Sequence, residues 1–179
     1  MLSRSSSPKP ILFNWEICLE EQEFIKWRSA LNVHCLFFDG ASKGNPGKSG
    51  GGGVLLSPDS SILSSFAWGL GLDTNNRVET LALWQGLHQA LSHGITLLSV
   101  FRDSRMVIQA LSLEILSSQL KLARIFKKIY VLSSKFQKIS FYHILRNLNS
   151  MADAEANRGS LLSRSKILMN GTESLHNIP

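Results

Sequence analysis

Four carboxylates stand where apolar or neutral residues would be the default. Asp39 follows the apolar strand-like run VHCLFF, and Asp103 closes ITLLSVFRD. Glu79 lies four residues before Leu83, on the core-facing side of a helical stretch. Asp153 falls in the first turn of the last helical stretch. Residues at the carboxyl ends of strands line the ligand crevice of α/β sheets, so Asp39 and Asp103 are placed to meet a substrate. Each acid alone has a structural reading. Asp39 is then a turn acid, Asp103 a helix cap, and Glu79 and Asp153 acids at the positive ends of helix dipoles. Taken together they point to chemistry. Two unit charges ~4 Å apart repel by about 4 kcal/mol at an effective dielectric near ~20. A converging group of acids therefore takes up protons or holds cations. Oxygen-only donors suit magnesium, with manganese as a substitute, rather than zinc. Carboxylates that bind a metal pair make a phosphoryl-transfer site. One ion activates the attacking water and the other stabilises the leaving oxygen.

The elements that must position these acids are legible from periodicity. VHCLFFDGA reads as a buried strand, KGNPGKSG as a loop, and GGGVLLS and SILSSFAWGL as two further strands joined by a turn. TNNRVETLALWQGLHQALSHG is a helix with Thr74, Asn75 and Asn76 as cap candidates, Gly94 as its stop, and a stripe of Leu83, Leu87, Ala90 and Leu91. ITLLSVF is a strand, SRMVIQALSL and QLKLARIFKKIYVLSSKF are helices, KISFYHILR is a fifth strand, and SMADAEANRGSLL is a final helix. The order βββ-α-β-α-α-β-α predicts an α/β fold: a five-stranded mixed sheet, three strands antiparallel and two added in parallel, flanked by helices. Residues 1–32 read as a polar tail followed by one possible amphipathic helix, residues 33–162 as the domain, and residues 163–179 as a C-terminal tail.

Composition sets outer bounds. The 179 residues are a single-domain length, and 44% hydrophobic content supplies one core. A net charge of +6 favours a polyanionic partner. Cys18 and Cys35 have neither disulfide-framework nor zinc spacing. No apolar stretch reaches ~18 residues, so no membrane span is expected. The first ten residues lack the apolar centre of a secretory signal. That favours a nuclear or cytoplasmic setting. The Ser- and Arg-rich start leaves an organellar one open. The Asn170-Gly171-Thr172 sequon carries no weight without a secretory signal.

Four motifs resemble those of type-1 ribonuclease H. They are Asp39-Gly40-Ala41-Ser42-Lys43-Gly44-Asn45-Pro46-Gly47, Thr74-Asn75-Asn76-Arg77-Val78-Glu79, Arg102-Asp103-Ser104, and Arg146-x-x-Asn149-x-x-Ala152-Asp153-x-x-Ala156. The resemblance covers roughly residues 33–160, and FAWGLGLDTNNRVE is similar to plant and retroelement-associated members. It implies a ribonuclease H-like fold and a two-metal endonuclease cutting the RNA strand of RNA/DNA hybrids, with 3′-hydroxyl and 5′-phosphate products. Asp39, Glu79, Asp103 and Asp153 would be both the metal ligands and the catalytic acids. Asn45, Asn75 and Asn76 would read ribose 2′-hydroxyls in the minor groove. Ser42 and Lys43 join them as substrate-binding candidates on the first-motif loop. Many members carry a mobile-loop His ten residues before the last Asp, the count of His143, but FYHILR reads as strand. Others have an Arg seven residues before it, as Arg146 is here. Arg146 is the favoured auxiliary group. Arg102 stands where the family usually has a small residue. Strand alternation turns it away from Asp103, so direct neutralisation of Asp103 is not expected. Only 49 residues separate Asp103 from Asp153, too few for the basic protrusion of some relatives.

Gly47-Lys48-Ser49 is not a P-loop. Ser42 occupies the position that motif needs as glycine, and strand rather than helix follows, so no nucleoside triphosphate is expected. Lys121, Arg124 and Lys128 recur at helical spacing, either as a solvated face or as a phosphate-binding one. The expected protein is a monomer. Two rival readings remain: a nucleic-acid-binding module that has lost turnover, and a proofreading-type exonuclease. The latter characteristically carries Asp-x-Glu where Asp39-Gly40-Ala41 stands.

Overall fold

The computed structural model describes residues 15–103 and 120–179. Its elements in chain order are β1 (Trp15–Ile17), α1 (Glu21–Leu31), β2 (His34–Ser42), β3 (Gly47–Leu56), β4 (Ile62–Asp73), α2 (Asn75–Ser92), β5 (Leu97–Arg102), α3 (Leu120–Ser134), β6 (Lys138–Ile144), a 3-10 turn (Arg146–Asn149), α4 (Ser150–Gly159), β7 (Lys166–Met169) and β8 (Thr172–Leu175). The expected helix at 104–113, Ser104 and the side chain of Lys121 lie outside the described residues.

One sheet runs β1-β6-β5-β2-β3-β4-β7-β8. The strands β1, β6, β5 and β2 are mutually parallel along the row, while β3, β4, β7 and β8 continue it antiparallel. All five expected strands form. The expected count of five is corrected to eight among the described residues, because segments before and after the expected domain add strands. Residues 166–175, read as tail, are a hairpin. Asn170 and Gly171 take positive φ values of 51° and 84° between the paired Met169 and Thr172. That is the two-residue Asn-Gly turn whose twist suits a hairpin. Ile167 of this hairpin is fully buried. The possible helix over residues 14–30 is also revised: Trp15–Ile17 pairs with β6 and forms the edge of the sheet, and the helix starts only at Glu21.

The continuous apolar run of β2 makes it central, since both its faces must be covered. Leu36 and Phe38 face α2 and α3 in one core with Leu83, Leu87, Ile125 and Ile129. Cys35 and Phe37 face the opposite way, in a second core with Phe24, Phe101, Tyr142 and Ala152. α1 covers that second face through aromatic contacts. Phe24 meets Phe101 edge-on at 5.5 Å and Trp27 meets Tyr142 at 5.0 Å. Both cysteines are free thiols. Among the described residues no helix is long and apolar enough to cross a membrane.

The glycine run of β3 decides how closely α4 can lie. A Cβ at Gly52 would stand 2.2 Å from Ala156 N and 2.4 Å from the Glu155 carbonyl carbon. At Gly50 it would stand 2.1 Å from Ser160 N. Only bare backbone lets α4 rest there, and α4 carries Asp153. Gly52→Ala is therefore expected to cost about 2–3 kcal/mol by overpacking and to lower the melting temperature by roughly 5–10 °C. Gly94→Ala, which meets nothing within 4 Å, should cost only the left-handed backbone penalty of about 1 kcal/mol. Equal losses in thermal denaturation of the two variants would count against the close-approach account.

Candidate active site

Three of the four acids converge where the pairing of β2 with β5 stops. Those strands pair in parallel, with Phe37 opposite Phe101, so Asp39 within β2 and Asp103 just past β5 lie at the same level. Glu79 arrives from α2. A Cβ on Gly40 would lie 2.7 Å from Val78 Cγ1 and 3.0 Å from Glu79 N, so the bare strand end admits the helix. Thr74 caps α2, its Oγ1 accepting from the Arg77 N–H at 3.4 Å. One carboxylate oxygen from each of Asp39, Glu79 and Asp103 lies within 4.8 Å of the other two. Asp153 enters from the first turn of α4, with Oδ2 accepting from Asn157 Nδ2 at 3.3 Å. Its charge reaches Asp39 more weakly than those of Glu79 and Asp103.

The electrostatics follow from crowding. Burial, then Glu79 and Asp103, push Asp39 up to about 8, against the Gly40 N–H that donates to its Oδ1 at 2.9 Å. Burial also raises Glu79, while the neighbouring Arg102 lowers it. Such a donor set, all oxygen and mutually repulsive, fits a hard divalent cation. It gives no soft ligand for zinc.

Sequence reasoning missed one partner. Arg102 turns away from Asp103, as alternation requires. Its Nη2 instead donates to Glu79 Oε2 at 3.0 Å, with the arginine side chain 1% exposed. The signal was available only as an oddity, a cation next to a motif acid. His143 lies on β6, and its Nε2 meets the Asp103 carbonyl oxygen at 3.0 Å. A carbonyl only accepts, so this nitrogen carries the proton and the ring holds the end of β5. Arg146 is exposed on the 3-10 turn beyond β6. Asn149, in the fourth motif but given no role from sequence, donates from Nδ2 to Phe38 O at 3.1 Å. It ties the start of α4 to the strand that bears Asp39.

The substrate candidates border the acids. Asn45 Oδ1 accepts from the Asn75 N–H at 3.1 Å, joining the first-motif loop to the start of α2. Asn76 is exposed beside it. Lys43 Nζ donates to Asn157 Oδ1 at 3.4 Å. Ser42 is bound inward: its hydroxyl donates to Gly44 O and accepts from Ser49 Oγ at 3.2 Å, so it shapes the loop.

Acids borne by adjacent parallel strands, in a mixed sheet with an antiparallel extension, define the ribonuclease H-like class of α/β proteins. Residues 37–159 match the reverse transcriptase-like family. The chain belongs to that family, within the type-1 ribonuclease H group. It is 33% identical over 120 residues to the bifunctional protein Rv2228c of Mycobacterium tuberculosis, across 66% of this chain and 33% of that protein. It is 35% identical over 125 residues to ribonuclease HI of Halobacterium salinarum, across 70% of this chain and 62% of that one. The first curated relatives are thus matched over about a third of their length. The crystal structure of the halobacterial RNase H1 superposes with a TM-score of 0.67 at 33% identity, covering 70% of this chain and 96% of that one. LC11-RNase H1 in complex with RNA/DNA hybrid gives 0.64 at 25% identity, covering 70% of this chain and 94% of that one.

The raised carboxyl makes a signed prediction. Between 3.8, its ordinary value, and about 8, folded Asp39 keeps a proton that the unfolded chain has lost. The unfolded state then binds fewer protons, so stability falls as pH rises through that window. In chelator the melting temperature should fall from about pH 5 to about pH 8. Asp103→Asn removes one of the charges responsible and should raise it at about pH 8 by at least about 3 °C. Added magnesium should stabilise the unsubstituted protein more than the variant. A variant that melts lower in chelator would count against a repulsive cluster.

Proposed function

We propose that this protein hydrolyses the RNA strand of RNA/DNA hybrids as a metal-dependent endonuclease. The observation that carries the reading is the group of three carboxylates, from β2, α2 and the residue after β5, within 4.8 Å of one another. Asp39, Glu79, Asp103 and Asp153 would hold two divalent ions, magnesium by preference. When bound, the ions supply an activated water and stabilise the leaving oxygen. The chain's own residues do the positioning. Asn45, Asn75 and Asn76 meet the minor groove, where hydrogen bonds to 2′-hydroxyls distinguish RNA from DNA. Lys43 lies beside them for a phosphate. Arg146 is the auxiliary group near the leaving product, while His143 anchors Asp103.

The exposed Arg124, Lys127 and Lys128 of α3 give a second basic surface for the hybrid backbone. One observation favours the rival reading of a binding module without turnover: Arg102 already holds an oxygen of Glu79.

Cleavage of a labelled hybrid decides between them, with duplex DNA and duplex RNA alongside. Magnesium-dependent cutting of the RNA strand alone, lost in chelator and in Asp103→Asn, is the expected result. Tight hybrid binding with no cutting in magnesium or manganese would establish the binding module instead. Reversing Arg124 and Lys128 to Glu should weaken hybrid binding and flatten its logarithmic salt dependence by roughly one per lost phosphate contact. An unchanged slope would remove α3 from the interface.

A further inference from the structure

Arg102 is the part of the site that motif spacing leaves unexplained. It is almost fully buried, with its guanidinium carbon 5.2 Å from the centre of the Phe38 ring. It makes one ionic hydrogen bond, to Glu79 Oε2 at 3.0 Å. Its Nε and Nη1 are buried and find no hydrogen-bond partner among the described residues. A guanidinium stripped of water and so sparsely bonded is costly. Charge compensates for it, because Glu79, Asp103 and Asp39 all attract it. Phe38 and α2 fix its place, so it cannot swing out to solvent without opening the core around Phe38.

We propose that Arg102 is a resident counter-cation of the carboxylate cluster, a positioning residue that holds Glu79 and weakens divalent-ion binding. The inference rests on the metal-dependent reading of the same site. Two consequences follow from the geometry. First, Oε2 of Glu79 is engaged by Arg102, so Oε1 is the oxygen left to reach an ion. Second, Asp39, Glu79, Asp103 and Asp153 when ionised carry four negative charges, and Arg102 leaves a net three. Two divalent ions then exceed the charge that receives them. The second ion binds more weakly than it would beside an uncharged residue at position 102.

The test is manganese binding to the full chain without nucleic acid, by calorimetry and by the electron paramagnetic resonance of the free ion. Arg102→Gln keeps a donor for Glu79 but removes the charge. It is expected to bind manganese at least about tenfold more tightly, as loss of a unit charge beside a dication in protein surroundings requires. Arg102→Lys keeps the charge and is expected to stay within about twofold of the unsubstituted protein. If Arg102→Gln unfolds in chelator, the same titration is followed by circular dichroism, and refolding by manganese is the supporting result. Unchanged affinity in Arg102→Gln, equal gains in both variants, or failure of manganese to refold it would overturn the counter-cation role. If the unsubstituted protein itself binds no manganese, the metal-dependent reading fails instead. The two failures are therefore distinct.

Discussion

Holding three carboxylate oxygens within 4.8 Å of one another opposes folding, and the rest of the structure has to withstand that force. Asp39 is mostly buried, so water screens little of the repulsion. The carboxylates are kept together by elements that cannot retreat. β2 and β5 are hydrogen-bonded neighbours in the middle of the sheet, and their side chains are locked into cores on both faces. Apolar burial, at about 25 cal/mol per Å², supplies stabilisation that local charge repulsion does not undo.

The second requirement is proximity between helices and sheet. Ordinary side chains between a helix and a strand would hold Glu79 and Asp153 away from the strand ends. Gly40 under α2, and Gly50 and Gly52 under α4, remove that spacing, leaving helix backbone against strand backbone. Asn149 then fixes the start of α4 to the Phe38 carbonyl, one residue before Asp39. The glycine-rich run of β3 is therefore part of the active-site scaffold, although none of its residues carries a reactive group.

Arg102 and His143 form a further layer behind the acids. They face each other in the register of β5 and β6, and each holds one acid-bearing element. Arg102 reaches the Glu79 carboxylate, and His143 reaches the Asp103 backbone. This layer places a fixed positive charge against the cluster on the side facing the core. His143 stands opposite Arg102 on β6, and from there its ring reaches the Asp103 carbonyl just past the end of β5.

The order of the described strands and helices was legible in the sequence, and so were the four acids and the loop asparagines as candidates, because these depend on periodicity and on residue types at short spacing. The Asn170-Gly171 turn was legible on the same terms, although a four-residue strand after a polar stretch reads as tail. Residues 17–31 carried apolar content without showing what it covered, since the aromatic cluster it meets comes from β2, β5 and β6. Only the tertiary structure decided that Arg102 pairs with Glu79, 23 residues away, and not with its neighbour Asp103. Alternation along β5 says which way Arg102 points. What it meets there depends on how closely α2 crosses the sheet, and that distance is set by a missing side chain at Gly40 on a third element.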